Sequence, residues 1–264
     1  MINYFKELYK YRELLLNLTR KELKVRYRGS ILGIFWSLLN PMIMTLVYTF
    51  VFSIVLGSTT KDFPIFLLSG LIPWNFLASS LNVGIDSIVG NSHLINKIKF
   101  PREILPLSII FSNFINFLLE LVAFFILLIF MGYKFYKLLY LLPIIILIQI
   151  FLVIGATLLV SSINVYFRDT KHILNIFMLI WFFATPIIYD IGIVPGKFRY
   201  LMIINPMTVF TILYRNIFYF INFPESLSFP SFRTLLLCLS LSIAILLFGY
   251  YLFNKLSPRF AEEI

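Results

Sequence analysis

The sequence predicts an all-α polytopic membrane protein with six transmembrane helices, an N-terminal amphipathic interfacial helix and short re-entrant outer helices between spans five and six. Apolar residues make up 60% of the 264 residues, and the mean hydropathy is +0.93. Charged residues are only 13%, about half the share of a soluble domain. The net charge of +10 is distributed between hydrophobic runs. It therefore favours membrane topology over nucleic-acid binding.

The N-terminal region, residues 1–30, is predicted to be a cytoplasmic amphipathic segment. Thr19 and Glu22 have the spacing of a capping box, which indicates a helix start, and Gly29 suits a helix end. A short cationic helix before a membrane span is typical of an anionic lipid surface. The alternative is that these cations only set the topology.

Six apolar runs are long enough to cross a bilayer. The predicted spans are 31–56, 63–89, 104–131, 138–163, 173–189 and 235–253. This division places most of the 22 lysines and arginines on the side of both termini. By the positive-inside rule, both termini are predicted to be cytoplasmic.

The segment 192–231 is too apolar for an ordinary loop, but Asn205-Pro206 interrupts it. A seventh span would place Arg215 near the middle of the membrane, at a cost on the order of 3 kcal/mol. Two short helices that enter from the outer face without crossing are therefore favoured. Such backbone is tolerated only beside protein or a water-filled path, which points to a pore.

No catalytic or metal-binding residues are predicted. The sequence contains no phosphate-binding loop, no HExxH motif and no DxD pair, and its one cysteine, Cys238, lies in an apolar run. If ATP powers the protein, another chain must bind it. Glu120 is the one acid well inside a predicted span, and both a helix-packing role and a functional role stay open for it.

Two further features point to transport. Aromatic residues make up 18% of the chain and recur inside the spans beside polar residues, as in a surface along which a hydrated polymer slides. Ordinary packing is the alternative. The segment 91–103 interleaves apolar and basic residues, which predicts a short amphipathic helix ended by Pro101. It suits a groove on a partner, or else it lies on the inner leaflet.

The chain resembles the permease subunit of ABC type-2 polysaccharide exporters, which move O-antigen, teichoic acid or capsule chains on a lipid carrier. The segments that carry the resemblance, in the order of that family, are 24–41, 68–74, 97–106, 164–169 with 185–189, and 205–206 with 214–215. Together they extend over most of the chain.

The resemblance implies a homodimer in the cytoplasmic membrane, with the translocation path between the copies. Two copies of an ABC ATPase subunit would bind ATP and Mg beneath it, and a polyprenyl-linked polysaccharide would be the substrate. Segment 192–231 would be the outer gate, and Arg168-Asp169 would hold loops together. The implied headgroup or pyrophosphate contacts are Arg20, Lys24, Arg26 and Arg28. The implied gate and pore-lining residues are Leu32, Gly33, Phe35, Trp36, Tyr48, Trp181 and Tyr189. The implied ATPase-coupling residues are Leu94, Ile95, Lys97, Ile98, Phe100 and Arg102.

Three alternatives stay open at this point. The first is an integral-membrane glycosyl or phosphoglycosyl transferase acting on lipid-linked sugars. The second is an exporter of small molecules from the same family. The third is a passive channel or scaffold, which would not need the amphipathic segment 91–103.

Overall fold

The computed structural model describes residues 10–33, 35–55, 57, 60–223 and 232–263, and every regular element in this part of the chain is helical. In chain order the α-helices are α1 (Arg12–Arg26), α2 (Phe35–Thr49), α3 (Phe63–Gly84), α4 (Ser92–Lys97), α5 (Ile104–Phe130), α6 (Leu142–Tyr166), α7 (Thr170–Phe183), α8 (Gly196–Ile204), α9 (Pro206–Phe218), α10 (Phe232–Leu256) and α11 (Phe260–Glu263). A π-helical segment, Phe50–Val55, extends α2, and a 3-10 segment, Phe135–Leu141, precedes α6.

Five helices of the described chain are long and apolar enough to cross a membrane: α2 with its π-helical extension, α3, α5, α6 and α10. The predicted fifth span differs, because α7 has only 14 residues. That length is short of the roughly 20 residues that a bilayer requires. The helix ends before Thr185 because Pro186 disfavours helical backbone at the residue that precedes it.

The N-terminal helix is longer than predicted. It begins at Arg12, so Thr19 lies in its middle, where its hydroxyl donates to the carbonyl of Leu15 (2.8 Å). The capping box with Glu22 is therefore wrong, since a Ser or Thr inside a helix bonds backward along its own helix. Gly29 has a φ of +74°, as expected of a glycine that follows a helix end.

Helix α3 lies in the centre of the bundle and packs against α2, α5, α6 and α9. Glycines permit the closest approaches between helices. A Cβ on Gly84 would lie 2.3 Å from Cγ2 of Thr157, and one on Gly249 would lie 2.1 Å from the carbonyl oxygen of Gly155. Helices α6 and α10 thus meet backbone to backbone, as small residues allow in membranes.

The segments predicted to share one side of the membrane gather at one end of the bundle. A buried cluster there joins Leu18 of α1, Ile95 of α4, Val165 of α6 and Phe260 of α11. At the opposite end, the hydroxyl of Tyr219 donates to the carbonyl of Lys61 (2.7 Å), tying the loop before α3 to the end of α9.

The segment between α7 and α10 contains the two short helices that the sequence predicts. Helices α8 and α9 meet at a bend of 95° at Asn205-Pro206. With 9 and 13 residues, they are about 14 and 20 Å long, and neither alone spans a hydrocarbon core of about 30 Å. The part of the predicted outer gate at 224–231 lies outside the described residues.

Candidate functional site

A polar cavity of about 310 Å³ lies between α1, α2, α3 and α5. It combines one arginine, one glutamate and several amides with aromatic side chains. The lining residues are Arg26, Tyr27, Trp36, Asn40, Pro41, Asn75, Phe76, Ser79, Asn113, Asn116, Phe117 and Glu120. A polar cavity among predicted spans is costly to build, and it is therefore a candidate functional site.

Two hydrogen bonds attach the end of α1 to α5 at this cavity. Nη2 of Arg26 donates to Oδ1 of Asn113 (2.6 Å), and the hydroxyl of Tyr27 donates to Oδ1 of Asn116 (3.0 Å). The bond from the guanidinium is charge-assisted and therefore among the stronger kinds. The amphipathic helix is thus held to the bundle by polar contacts as well as by Leu18, its buried leucine.

Glu120 lies one helical turn beyond Asn116 in the same cavity. Its carboxyl group lines the cavity together with Asn75 of α3 and lies in the field of the Arg26 cation. Asn113, Asn116 and Glu120 recur at the spacing of one helix face. This spacing of polar residues is a sequence signal that could have located the site. Charge alone singles out only Glu120 of the three.

The predicted headgroup contacts separate into two environments. Arg20, Lys24 and Arg28 lie together on an exposed groove of α1, with Asn17 and Lys21 beside them. Arg26 is not in this groove, because its guanidinium turns toward Asn113 in the polar cavity.

The predicted gate residues of the first span lie at the surface of the chain. The exposed fractions of Leu32, Phe35 and Trp36 are 43%, 62% and 47%, respectively. Gly33 has a φ of +50°, a conformation that other residues rarely adopt, in the turn that precedes α2. Trp36 also borders the polar cavity, so it belongs to both surfaces.

The other predicted pore-lining residues make contacts inside the chain. Tyr48 stacks on Phe182 at 6.5 Å between ring centres, which places α2 beside α7. Nε1 of Trp181 donates to Oδ1 of Asn205 (2.8 Å), while the hydroxyl of Tyr189 donates to the carbonyl of Phe183 (2.8 Å). All three are half-buried, and the polar groups of Trp181 and Tyr189 hold the chain's own turns.

The side chain of Asn205 stabilises the bend at Asn205-Pro206. Its Oδ1 accepts from the backbone N–H of Met207 (3.0 Å) and caps α9, and its Nδ2 donates to the hydroxyl of Thr185 (2.9 Å). Pro206 fits the first position of α9, where a backbone donor is not needed.

The predicted coupling segment is a shorter helix than expected, because α4 ends at Lys97 and the backbone is extended at Ile98. Ile95 is only 7% exposed and packs in the buried cluster with Leu18 and Phe260. The structure therefore does not present Ile95 to a partner. Ile98 is 54% exposed, Lys97 is exposed, and Leu94 is half-buried.

Phe100 and Arg102 line a groove of about 430 Å³ next to α4, together with Tyr11 and Asn254. This groove is thus one surface formed by the residue before α1, the loop after α4 and the end of α10. An ion pair between Nζ of Lys171 and Oδ2 of Asp86 (2.6 Å) ties the start of α7 to the turn after α3. The sequence had assigned this role to Arg168-Asp169, which lie just before Lys171.

The match to known proteins runs along nearly the whole chain. Residues 13–219 match the model of the ABC-2 type transporter membrane family. This chain belongs to the ABC-2 type transporter family. The matched residues contain α1 to α9, and therefore both the polar cavity and the bent pair of helices.

The relatives of this ABC-2 chain carry the names of polysaccharide export proteins. The chain is 35% identical to the O-antigen export system permease protein RfbA of Myxococcus xanthus over 100% of both chains. It is 31% identical to RfbA of Klebsiella pneumoniae, with 95% of this chain and 94% of the relative covered. It is 24% identical to the polysialic acid transport protein KpsM of Escherichia coli over 71% and 74% of the two chains.

This membership identifies the chain as a membrane transport component and does not favour the glycosyl or phosphoglycosyl transferase alternative. Within the described residues there is no group of three or more His, Cys, Asp or Glu side chains that could hold a metal ion.

Proposed function

We propose that this chain is the permease subunit of an ATP-driven exporter that moves a lipid-linked polysaccharide across the cytoplasmic membrane. The observation that carries the proposal is the match over the full length with the O-antigen permease of Myxococcus xanthus. The similarity to a polysialic acid transport protein also supports a polysaccharide as the transported molecule.

The translocation path lies between two copies of the chain. The surfaces of α2 and α7 are compatible with this arrangement, because both helices expose large apolar side chains that a second copy, like lipid, would cover. Leu46 of α2 is 69% exposed, and Ile176 and Ile180 of α7 are 63% and 61% exposed. The contact between Tyr48 and Phe182 makes the two helices neighbours, so they present one continuous surface to a second copy.

Two copies of an ABC ATPase subunit bind at the end of the bundle that holds α1 and α4, and they supply the ATP and Mg sites that this chain lacks in its sequence motifs. The surface that receives them includes Leu94, Lys97, Ile98, Phe100 and Arg102. Ile98 is the side chain best suited to insert into a pocket on the ATPase, since it is apolar, exposed and flanked by lysines. Ile95 contributes to this surface only indirectly, because its buried side chain holds α4 against the bundle.

The groove with Arg20, Lys24 and Arg28 binds the phosphate groups of the lipid carrier. Clustered cations at headgroup level attract phosphates, and each contributes about 1 kcal/mol near an anionic surface. This end of the chain, with both termini, faces the cytoplasm, in agreement with the distribution of lysine and arginine.

The test is to deplete the protein in its host and to separate lipid-linked glycan at the cell surface from glycan facing the cytoplasm. Full-length polymer that accumulates inside while surface polymer disappears supports export. If short lipid-linked precursors accumulate and no polymer forms, the chain acts in synthesis and the proposal fails.

A second readout identifies the driving force. A purified complex of this chain and its ATPase in lipid vesicles should move added lipid-linked glycan only when ATP is present. Transport that proceeds equally without ATP would indicate a passive channel.

A further inference from the structure

The polar cavity contains buried polar groups that the contacts described above leave unused. The side chains of Asn113 and Asn116 are 2% and 5% exposed, and in the described part of the chain neither Nδ2 atom has a hydrogen-bond partner. Oε2 of Glu120 also has none there. An unpaired buried polar group costs roughly 1–3 kcal/mol, so two donors and an acceptor on residues that line one cavity point to a ligand.

Aromatic side chains form part of the lining of this cavity. The rings of Phe76 and Phe117 are nearly fully buried and stack with centres 5.1 Å apart, and the exposed ring of Trp36 closes the side toward α2. A sugar ring combines apolar C–H faces with hydroxyl groups on its edge. Aromatic faces suit the former, and amides with a carboxylate suit the latter.

The size of the cavity limits the ligand. Its volume of about 310 Å³ is at the lower end of the range for small-molecule sites, roughly 300–1,000 Å³. The cavity therefore accommodates a single ring and its substituents, and not a folded segment of a polymer.

The charges favour a neutral ligand. Arg26 already donates to Asn113 within the chain, and the carboxyl group of Glu120 lies in the same cavity. A phosphate group in the cavity would face the Glu120 carboxyl oxygens, whereas the exposed groove of Arg20, Lys24 and Arg28 has no acid among its lining residues. Phosphate therefore suits the exposed groove, and a polyhydroxyl ring suits the cavity.

We propose that the polar cavity is a recognition site for one sugar ring of the exported glycan. The amide groups of Asn113 and Asn116 donate to ring hydroxyl oxygens, Glu120 Oε2 accepts from a hydroxyl group, and the aromatic walls contact the faces of the ring. This inference rests on the proposed function, since it names the part of the substrate that the permease recognises. It also gives Glu120 a role within its span.

Protection of an introduced thiol tests the site. Ser79 lines the cavity, and Ser79→Cys is a small change. It is made in a Cys238→Ser background, because Cys238 is the one native cysteine. Ser92→Cys at the start of α4 is the matched control outside the cavity. The purified complex with its ATPase, in nanodiscs, is labelled with a small thiol reagent, with and without two probes: the purified lipid-linked glycan of the host and polyprenyl diphosphate without sugar.

We expect the glycan to slow labelling at position 79 about tenfold when it is present at about ten times its Kd, and to leave position 92 unchanged. Equal protection by the sugar-free diphosphate would overturn the assignment, because the ligand would then be the phosphate. Absence of protection by either probe, in a variant that still exports glycan in cells, would refute the site and leave the proposed function intact. The proposed function fails separately, when depletion of the protein leaves surface glycan unchanged.

A pair of further variants separates sugar binding from attachment of α1. Asn116→Ala removes both the amide donor and the bond to Tyr27, whereas Tyr27→Phe removes only that bond. Glycan protection of position 79 should be lost in the first variant and retained in the second. Equal loss in both would show that Asn116 acts only by holding α1, and it would overturn its role in sugar binding.

Discussion

The guanidinium of Arg215 lies 3.6 Å from the centre of the Phe66 ring, and its nitrogens donate to the backbone carbonyls of Phe66, Ile187 and Tyr189. The side chain is 1% exposed. One cation thus joins α9, the turn after α7 and the start of α3. This is how the chain accommodates a buried arginine: protein carbonyls and an aromatic face replace water.

Arg215→Met should destabilise the chain by a few kcal/mol. It removes the guanidinium donor from the carbonyls of Ile187 and Tyr189, whereas the carbonyl of Phe66 still accepts from the hydroxyl of Ser69. A buried carbonyl left unpaired costs roughly 1–3 kcal/mol. Arg215→Lys should lose nearly as much, because an ammonium group cannot reproduce the planar fork. The measurement is the melting temperature in detergent, with Arg233→Met, an exposed arginine of α10, as the control. Equal melting temperatures for Arg215→Met and the parent would contradict this role.

Gly249→Val should separate α6 from α10. A Cβ at this position would lie 2.1 Å from the carbonyl oxygen of Gly155, so a backbone must move. Overpacking of this kind typically costs about 1–3 kcal/mol, and a backbone clash is at the upper end. Gly196→Ala is the matched control, because no atom lies within 4 Å of its added Cβ. The abundance of folded protein in the membrane fraction should fall only for Gly249→Val. An unchanged level would mean that the helices are not packed this closely.

Replacing Arg20, Lys24 and Arg28 together with glutamine should weaken binding of polyprenyl diphosphate on the order of 100-fold at low salt. At about 1 kcal/mol for each cation, the loss is about 3 kcal/mol. The charge-matched control replaces Lys134, Lys137 and Lys197, which are exposed and outside the α1 groove. The measurement is the amount of added polyprenyl diphosphate that binds to vesicles containing the complex, after the vesicles are separated by flotation. If both triple variants lose affinity equally, the groove has no specific role.

Two isoleucines of the coupling segment should respond differently to the same change. Ile98→Asp places a carboxylate on an exposed position, so the chain should fold but copurify poorly with its ATPase. Ile95→Asp buries a charge in the cluster with Leu18 and Phe260, so the chain itself should be destabilised. The readouts are membrane abundance and the amount of ATPase retained on the purified permease. Ile98→Val is the conservative control, and normal copurification of Ile98→Asp would exclude a docking role.

Much of the architecture could be predicted from the sequence, because hydrophobic length, charge bias and helix breakers are local properties. The apolar runs located α2, α3, α5, α6 and α10, and Asn205-Pro206 marked the bend between α8 and α9. The ordered motifs also indicated the family to which the chain belongs.

Local properties were misleading where a residue's partner is distant in sequence. Thr19 and Glu22 have the spacing of a capping box, but the helix already begins at Arg12, where no side chain caps it. Ile95 and Ile98 have similar side chains in one amphipathic run, yet only packing against α1 and α11 decides that Ile95 is buried and Ile98 exposed.

The sequence by itself determined that this chain is a membrane protein of about six spans with a cationic N-terminal helix, since the bilayer imposes length and charge rules on any chain. Only the tertiary structure decided which polar groups meet. It turned Arg26 away from the cations beside it toward Asn113, gathered Asn75, Asn116 and Glu120 around one cavity, and enclosed Arg215 in carbonyls. The physical reason is that a hydrogen bond depends on the position of both partners, and these partners come from different helices.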